Sequence, residues 1–174
     1  MGCDIHAIIE VDDGWGWRNA GEPDIGRNYA IFSVLGDVRN YSDPIPVIAK
    51  NRLPVELDDE EWERCSDAFR GVAKEWDGDG HSHSWVTLKE MRDFDTTQTV
   101  YNHDLVLGKD ELGNITSICA STSGPHMGEV GVCNIFGPWG AHHWLKLIED
   151  IAGIATAHGQ TDPEKIRLIF FFDN

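Results

Sequence analysis

The sequence predicts a single α+β domain over residues 1–174, with a mixed or largely antiparallel sheet of about five or six strands and about four helices. Three observations carry this. Ile5, Ala7, Ile9 and Val11 alternate with His6, Ile8 and Glu10, the period-two pattern of a strand with one buried face. Trp144, Leu147, Ile148, Ile151, Ile154 and Ala155 recur at helical spacing, the strongest helix pattern in the chain. The stretch Lys165–Phe172 is apolar on both faces, which marks a central strand. A chain of this length can bury roughly two-thirds of its unfolded surface, so it needs no disulfide or metal staple.

The remaining elements follow in order. Asp12-Asp13-Gly14 supplies a turn, and Trp15-Gly16-Trp17-Arg18 returns as a hairpin partner of the first strand. Asn28 caps a helix carrying Ile31, Val34, Leu35 and Val38. Three prolines between Tyr41 and Pro54 impose an irregular loop, long enough to be a lid or a pocket wall. Trp62, Cys65, Phe69, Val72 and Trp76 mark one amphipathic helix, stopped by Asp77-Gly78-Asp79-Gly80. Thr87 and Glu90 make a capping box for a short helix through Leu88 and Met91. Two strands, Thr99–Leu107 and Asn114–Ala120, are joined by a hairpin loop over residues 108–113, and Glu129–Phe136 is a further strand. Strand order is not readable.

The chain carries 14 basic and 30 acidic residues, a net charge of −16. Such a surface repels phosphate backbones and argues against binding DNA or RNA. A small anion held in a local cationic pocket is still allowed. Between Arg27 and Arg52 the basic residues Arg27, Arg39, Lys50 and Arg52 outnumber Asp37 and Asp43, although scattered surface charge gives the same count. A halophilic host also accounts for the global acidity. No apolar run approaches the roughly 20 residues of a membrane span, and no basic-then-apolar leader opens the chain. His6 stands where a myristoylation signal needs Ser or Thr. The expectation is a soluble protein of the cytoplasm. Cys3, Cys65, Cys119 and Cys133 form no Cys-x-x-Cys pair and read as reduced thiols. The sequence leaves a homo-oligomer open.

The candidate chemistry lies in four places. In a strand Asp4 and His6 share one face, and a carboxylate beside an imidazole suits zinc, manganese or magnesium. Asp173, at the carboxyl end of the last strand, completes that metal site if the two strands are neighbours. His81-Ser82-His83-Ser84-Trp85 precedes the helix capped by Thr87. Its hydroxyls (Ser82, Ser84) and imidazoles border the free N–H groups of a helix start, a place for phosphate. His81 and His83 are the candidate catalytic acid and base, and Trp85 can stack on a base. Arg27, Tyr29, Arg39 and His142 are the candidate ligand-binding side chains besides. Each has a plain structural alternative: a surface Asp with a bonded His, a glycine-flanked solvent loop with an anchored Trp, exposed helix histidines, or chain-terminal polarity. His103-Asp104 and His126 are weaker candidates, and His158 before Gly159 reads as a helix C-terminal residue. Phosphate-loop, dinucleotide-fold, nucleophile-elbow and His-Glu-x-x-His motifs are all missing, as is the repeated His-x-Ser/Thr of two-histidine phosphoesterases.

Met1-Gly2-Cys3-Asp4-Ile5-His6, the run from Arg27-Asn28-Tyr29 to Val38-Arg39-Asn40, His81-Ser82-His83-Ser84-Trp85 and the closing Ile166–Asn174 occur in this order. Together they resemble an uncharacterised family of short phage and prophage proteins, across nearly the whole chain. The resemblance implies a viral or prophage protein acting in a bacterial cytoplasm, and it hands over no activity. By analogy, small phage proteins often cleave or sequester the nucleotide signals of host defence. Three functions compete. One is a hydrolase, a metal-dependent phosphodiesterase acting on a small or cyclic nucleotide. Another is a non-catalytic nucleotide-binding protein that sequesters the signal. The third is an acidic surface inhibitor of a host protein, using the run Asp58-Asp59-Glu60-Glu61 with Glu63.

Overall fold

A computed structural model describes residues 2–40, 47–54, 60–76, 78–109, 111–112, 115–120, 130–134 and 137–173. The elements are β1 (Ile5–Asp12), β2 (Trp17–Gly21), α1 (Tyr29–Gly36), α2 (Glu60–Glu63), α3 (Asp67–Glu75), β3 (His81–Thr87), α4 (Leu88–Asp93), β4 (Thr99–Lys109), β5 (Ile115–Ala120), β6 (Val130–Asn134), α5 (Gly137–Ala157) and β7 (Ile166–Phe172). The class is α+β, and the strands divide into two antiparallel sheets. A four-stranded sheet has the order β2-β1-β7-β3, and a three-stranded sheet the order β5-β4-β6. Among the described residues no helix is long and apolar enough to cross a membrane.

β7 is central, as its two-faced apolarity predicts, and all seven of its residues are buried. Ile166, Leu168, Phe170 and Phe172 face a core built with α1, α4 and α5. Ile169 and Phe171 face a smaller core of Ile8, Leu53, Trp62, Cys65 and Phe69. The sheet is therefore covered by helices on both sides. Gly36 lets α1 lie directly on the sheet, because a Cβ there would sit 2.7 Å from the Phe172 ring.

Local signals are realised where they are self-contained. Asn28 accepts from the Ile31 N–H at 3.3 Å, and Thr87 and Glu90 close the capping box. α1 stops earlier than its apolar spacing predicts. Asp37 takes a left-handed conformation (φ 64°) and its N–H bonds back to Ser33, so Val38 lies beyond the helix. The helix expected over Trp62–Trp76 is two helices. Ser66 is extended between them: its side chain caps α3 and its N–H donates to Glu10 Oε1 at 2.8 Å. The segment His81–Thr87, to which the sequence pattern assigns no element, is a strand hydrogen-bonded to β7. Its inward side chains include His83 and Ser84, so no apolar alternation advertised it. Residues 41–46, 58–59 and His126 lie outside the described residues.

One ion pair lies inside this sheet. Glu10 and Arg167 are cross-strand partners on β1 and β7, and Arg167 Nε donates to Glu10 Oε2 at 2.7 Å. Their side chains are 0% and 6% exposed. Arg167 also donates to the Arg64 carbonyl at 3.3 Å and lies 4.1 Å from the Trp17 ring centroid. Removing one member strands a buried charge, which costs far more than the intact pair contributes. Arg167→Ala is expected to destabilise the protein by about 3–5 kcal/mol, and the double change E10M/R167M by much less, as measured by urea unfolding.

Candidate functional site

The four-stranded sheet ends where β7 ends. Ile5 of β1, Phe172 of β7 and His81 of β3 stand side by side there. Past this row the apolar sequence gives out, and Asp4 and Asp173 follow at once. The Asp173 N–H donates to the Asp4 carbonyl at 3.2 Å, and the Asp4 N–H donates to Asp173 Oδ1 at 2.8 Å. Asp173 follows Phe171 by two residues and so shares its face, as does His6, the cross-strand partner of Phe171. His6 Nε2 consequently meets Asp173 Oδ2 at 3.1 Å. The His6 ring is stacked on Phe171 at 4.7 Å and lies 4.6 Å from Trp76, which fixes its plane. The imidazole is 24% exposed.

Asp4 points to Arg27. The guanidinium donates to both carboxylate oxygens, at 2.7 and 2.5 Å, and these bonds hold the Asp4 carboxyl below the usual carboxylate range. Arg27 is 54% exposed and borders a hollow of about 290 Å³ with Asp24 and Ile25. Tyr29 and Arg39 lie beside this cluster, with the Arg39 guanidinium 5.9 Å from the Tyr29 ring. Arg39 also reaches the buried Cys3 thiol, whose pKa burial pushes up and Arg39 pulls back.

The expected metal ligands Asp4, His6 and Asp173 are thus brought to one end of the sheet by strands that are neighbours. Each already has a partner: Asp4 is bonded to Arg27, and His6 Nε2 to Asp173. Among the described residues no three His, Cys, Asp or Glu side chains group so as to hold a metal ion.

The His-Ser-His segment is bent by a bulge. Three residues of β3, His81 to His83, run alongside Phe172 and Phe171 before Ser84 meets Phe170, and Ser82 is left-handed (φ 55°). His81 stacks over Phe172 at 6.1 Å and His83 over Phe171 at 5.1 Å, rings that face opposite cores. The two imidazoles therefore do not lie face to face. His83 is 8% exposed, and its Nε2 has no hydrogen-bond partner; nor has the Nε2 of His81. Both residues border a hollow of about 460 Å³ with Asn51, Leu53, Pro54 and Gly80.

The other expected ligand residues lie as follows. Ser84 is buried, donates to the Ala49 carbonyl and accepts from the Arg52 N–H at 3.1 Å, tying residues 49–52 to β3. Trp85 carries the Arg52 guanidinium at 4.8 Å. His142 is exposed on α5, its ring 6.0 Å from that of His143. His103 and Asp104 fall on β4. Sequence reasoning passed over Trp76 and Gly80. Trp76 read only as core, and Gly80 only as a helix stop.

Comparison with known protein families, curated proteins and solved structures finds no match to this chain.

Burial, and secondarily repulsion from His81, pushes the His83 imidazole down from its ordinary 6.5 to about 4. At pH 7 it is neutral. The unfolded chain takes up this proton near pH 6.5, whereas the folded protein refuses it until about pH 4. Stability is therefore full above pH 6.5 and falls as the pH drops towards 4, by about 3 kcal/mol from this group. His83→Phe is expected to flatten that part of the profile and to stabilise at pH 5, as read from urea midpoints across pH 4–7.

Proposed function

We propose that the protein hydrolyses a small phosphorylated ligand of the nucleotide class at the carboxyl end of β7. The observation that carries this is the His6–Asp173 pair. A carboxylate fixed by a backbone N–H fixes an imidazole, which is the arrangement a general base requires. With the Nε2 proton donated to Asp173, Nδ1 keeps the lone pair that accepts a proton from water. The water oxygen then attacks phosphorus, and the bond to the leaving oxygen breaks. Asp173 stabilises the imidazolium that results. Arg27, already clamping a carboxylate with two nitrogens, has the fork geometry that suits phosphate. Arg39 adds a second positive charge nearby. Against a net charge of −16, Arg27 and Arg39 offset Asp4 and Asp173 at this sheet end, which spares a small anion the repulsion that the wider surface exerts on a polyanion. The resemblance to phage and prophage proteins supports a nucleotide signal of host defence as the substrate, met in a bacterial cytoplasm.

The test is a chromatographic assay of purified protein with cyclic mononucleotides, cyclic dinucleotides and ADP-ribose derivatives, with and without chelator. New product peaks are expected. His6→Ala should lower kcat about 100-fold or more and Asp173→Asn about tenfold or more, while Arg27→Ala acts mainly on KM. Product formation that chelator abolishes would assign a divalent metal to Asp4, His6 and Asp173. Ligand depleted from solution and released intact would make this a sequestering protein instead. Full activity in His6→Ala would overturn the proposed base.

A further inference from the structure

We infer that the hollow beside His83 is a pocket for a neutral, planar, hydrogen-bonding ring of the nucleobase class, and that it sets which ligand the protein accepts. This rests on the proposed nucleotide reading and assigns that ligand's second end.

Four observations lead here. The hollow, at about 460 Å³, has the size of a small-molecule site, and among the described residues bordering it none is Asp, Glu, Lys or Arg. These residues can pack against and hydrogen-bond an uncharged group. Its walls combine apolar Leu53 and Pro54 with the amide of Asn51 and the imidazoles of His81 and His83. His83 Nε2 is buried and unpartnered, a condition that folded proteins rarely tolerate unless something else supplies the partner. A neutral imidazole can donate or accept one hydrogen bond at Nε2, according to its tautomer, and so suits a single polar atom of a planar ring.

Gly80 lies against this nitrogen. A Cβ there would lie 3.4 Å from His83 Nε2 and 3.2 Å from both the Phe171 ring and the Trp76 carbonyl. Its φ is not in the left-handed region, so the backbone conformation does not call for glycine. The need is for close packing against Phe171 and the Trp76 carbonyl, and an added methyl would also crowd His83 Nε2. The hollow also lies close to the charged cluster. His83 and His6 stack on the same Phe171 ring, at 5.1 and 4.7 Å. The Phe171 ring is thus in contact with an imidazole of each place.

The experiment is titration calorimetry of the full chain with adenosine, guanosine, cytidine and uridine singly, and separately with ribose 5-phosphate. At least one nucleoside is expected to bind without any phosphate. G80A, which crowds His83 Nε2, and H83F, which keeps the ring stacking but removes the nitrogens, should each weaken it tenfold or more. Urea midpoints establish that each variant is folded, and if H83F is not, G80A decides. Binding of ribose 5-phosphate with no nucleoside bound would overturn this pocket and leave the proposed hydrolase standing. Nucleoside affinity unaltered in the folded variants would also overturn it. If neither probe binds, the pocket and the nucleotide reading fall together.

Discussion

The guanidinium of Arg167 sits in the middle of a sheet covered on both sides, and it has to find a carboxylate there. Glu10 of β1 supplies it, in direct cross-strand register. The pair fixes more than itself. Glu10 also receives the N–H of Ser66, which starts α3, and Arg167 reaches the carbonyl of Arg64, which follows α2. Two rings, Trp17 on β2 and Trp85 on β3, flank the same guanidinium at 4.1 and 5.7 Å. One buried charge thus ties together all four strands and the helices of one face. A slip of one residue between β1 and β7 would send Glu10 to the other face and leave Arg167 unpaired. Register at this point sets register at the far end, where His6 must meet Asp173.

That far end is where the physics of the fold leaves room for chemistry. Within β7 the neighbours are strands, and the faces are packed with Phe, Ile and Leu. One residue further on, Asp173 has no further strand to join, and its carboxylate takes the Asp4 N–H and the His6 ring. Phe171 supports two imidazoles from opposite neighbours, His6 and His83, and their surroundings divide their properties. His6 has a carboxylate partner and some exposure to solvent. His83 has neither, and burial keeps it neutral. A charged cluster and an uncharged hollow arise within one sheet end because one imidazole is given an anion and the other is not.

Several features were legible from residues close together in sequence. The alternation of β1, the helical spacing of α5, the two-faced apolarity of β7 and the Asn28 and Thr87 caps are set by neighbours within a few positions, and the fold respects each of them. The place of Asp173 beside His6 was legible only conditionally. It needed β1 and β7 to be adjacent, and the two residues are separated by 167 positions. β3 was not legible because its inward residues include an imidazole and a hydroxyl, whose burial depends on Trp62, Phe171 and the segment 49–52.

The amino-acid sequence by itself determined the strands β1 and β7, the caps of α1 and α4 and the helix α5, and that acids, imidazoles and arginines cluster in a few short motifs. Those are consequences of local spacing and side-chain type. The tertiary structure alone decided that Glu10 neutralises Arg167, that Arg27 takes the Asp4 carboxylate, and that the Ser82 bulge separates His81 from His83. It also decided that Gly80 lies against Phe171 and the unpartnered Nε2 of His83. Each of these depends on distance through space and on exclusion of water, and neither quantity is encoded in the spacing of residues along the chain.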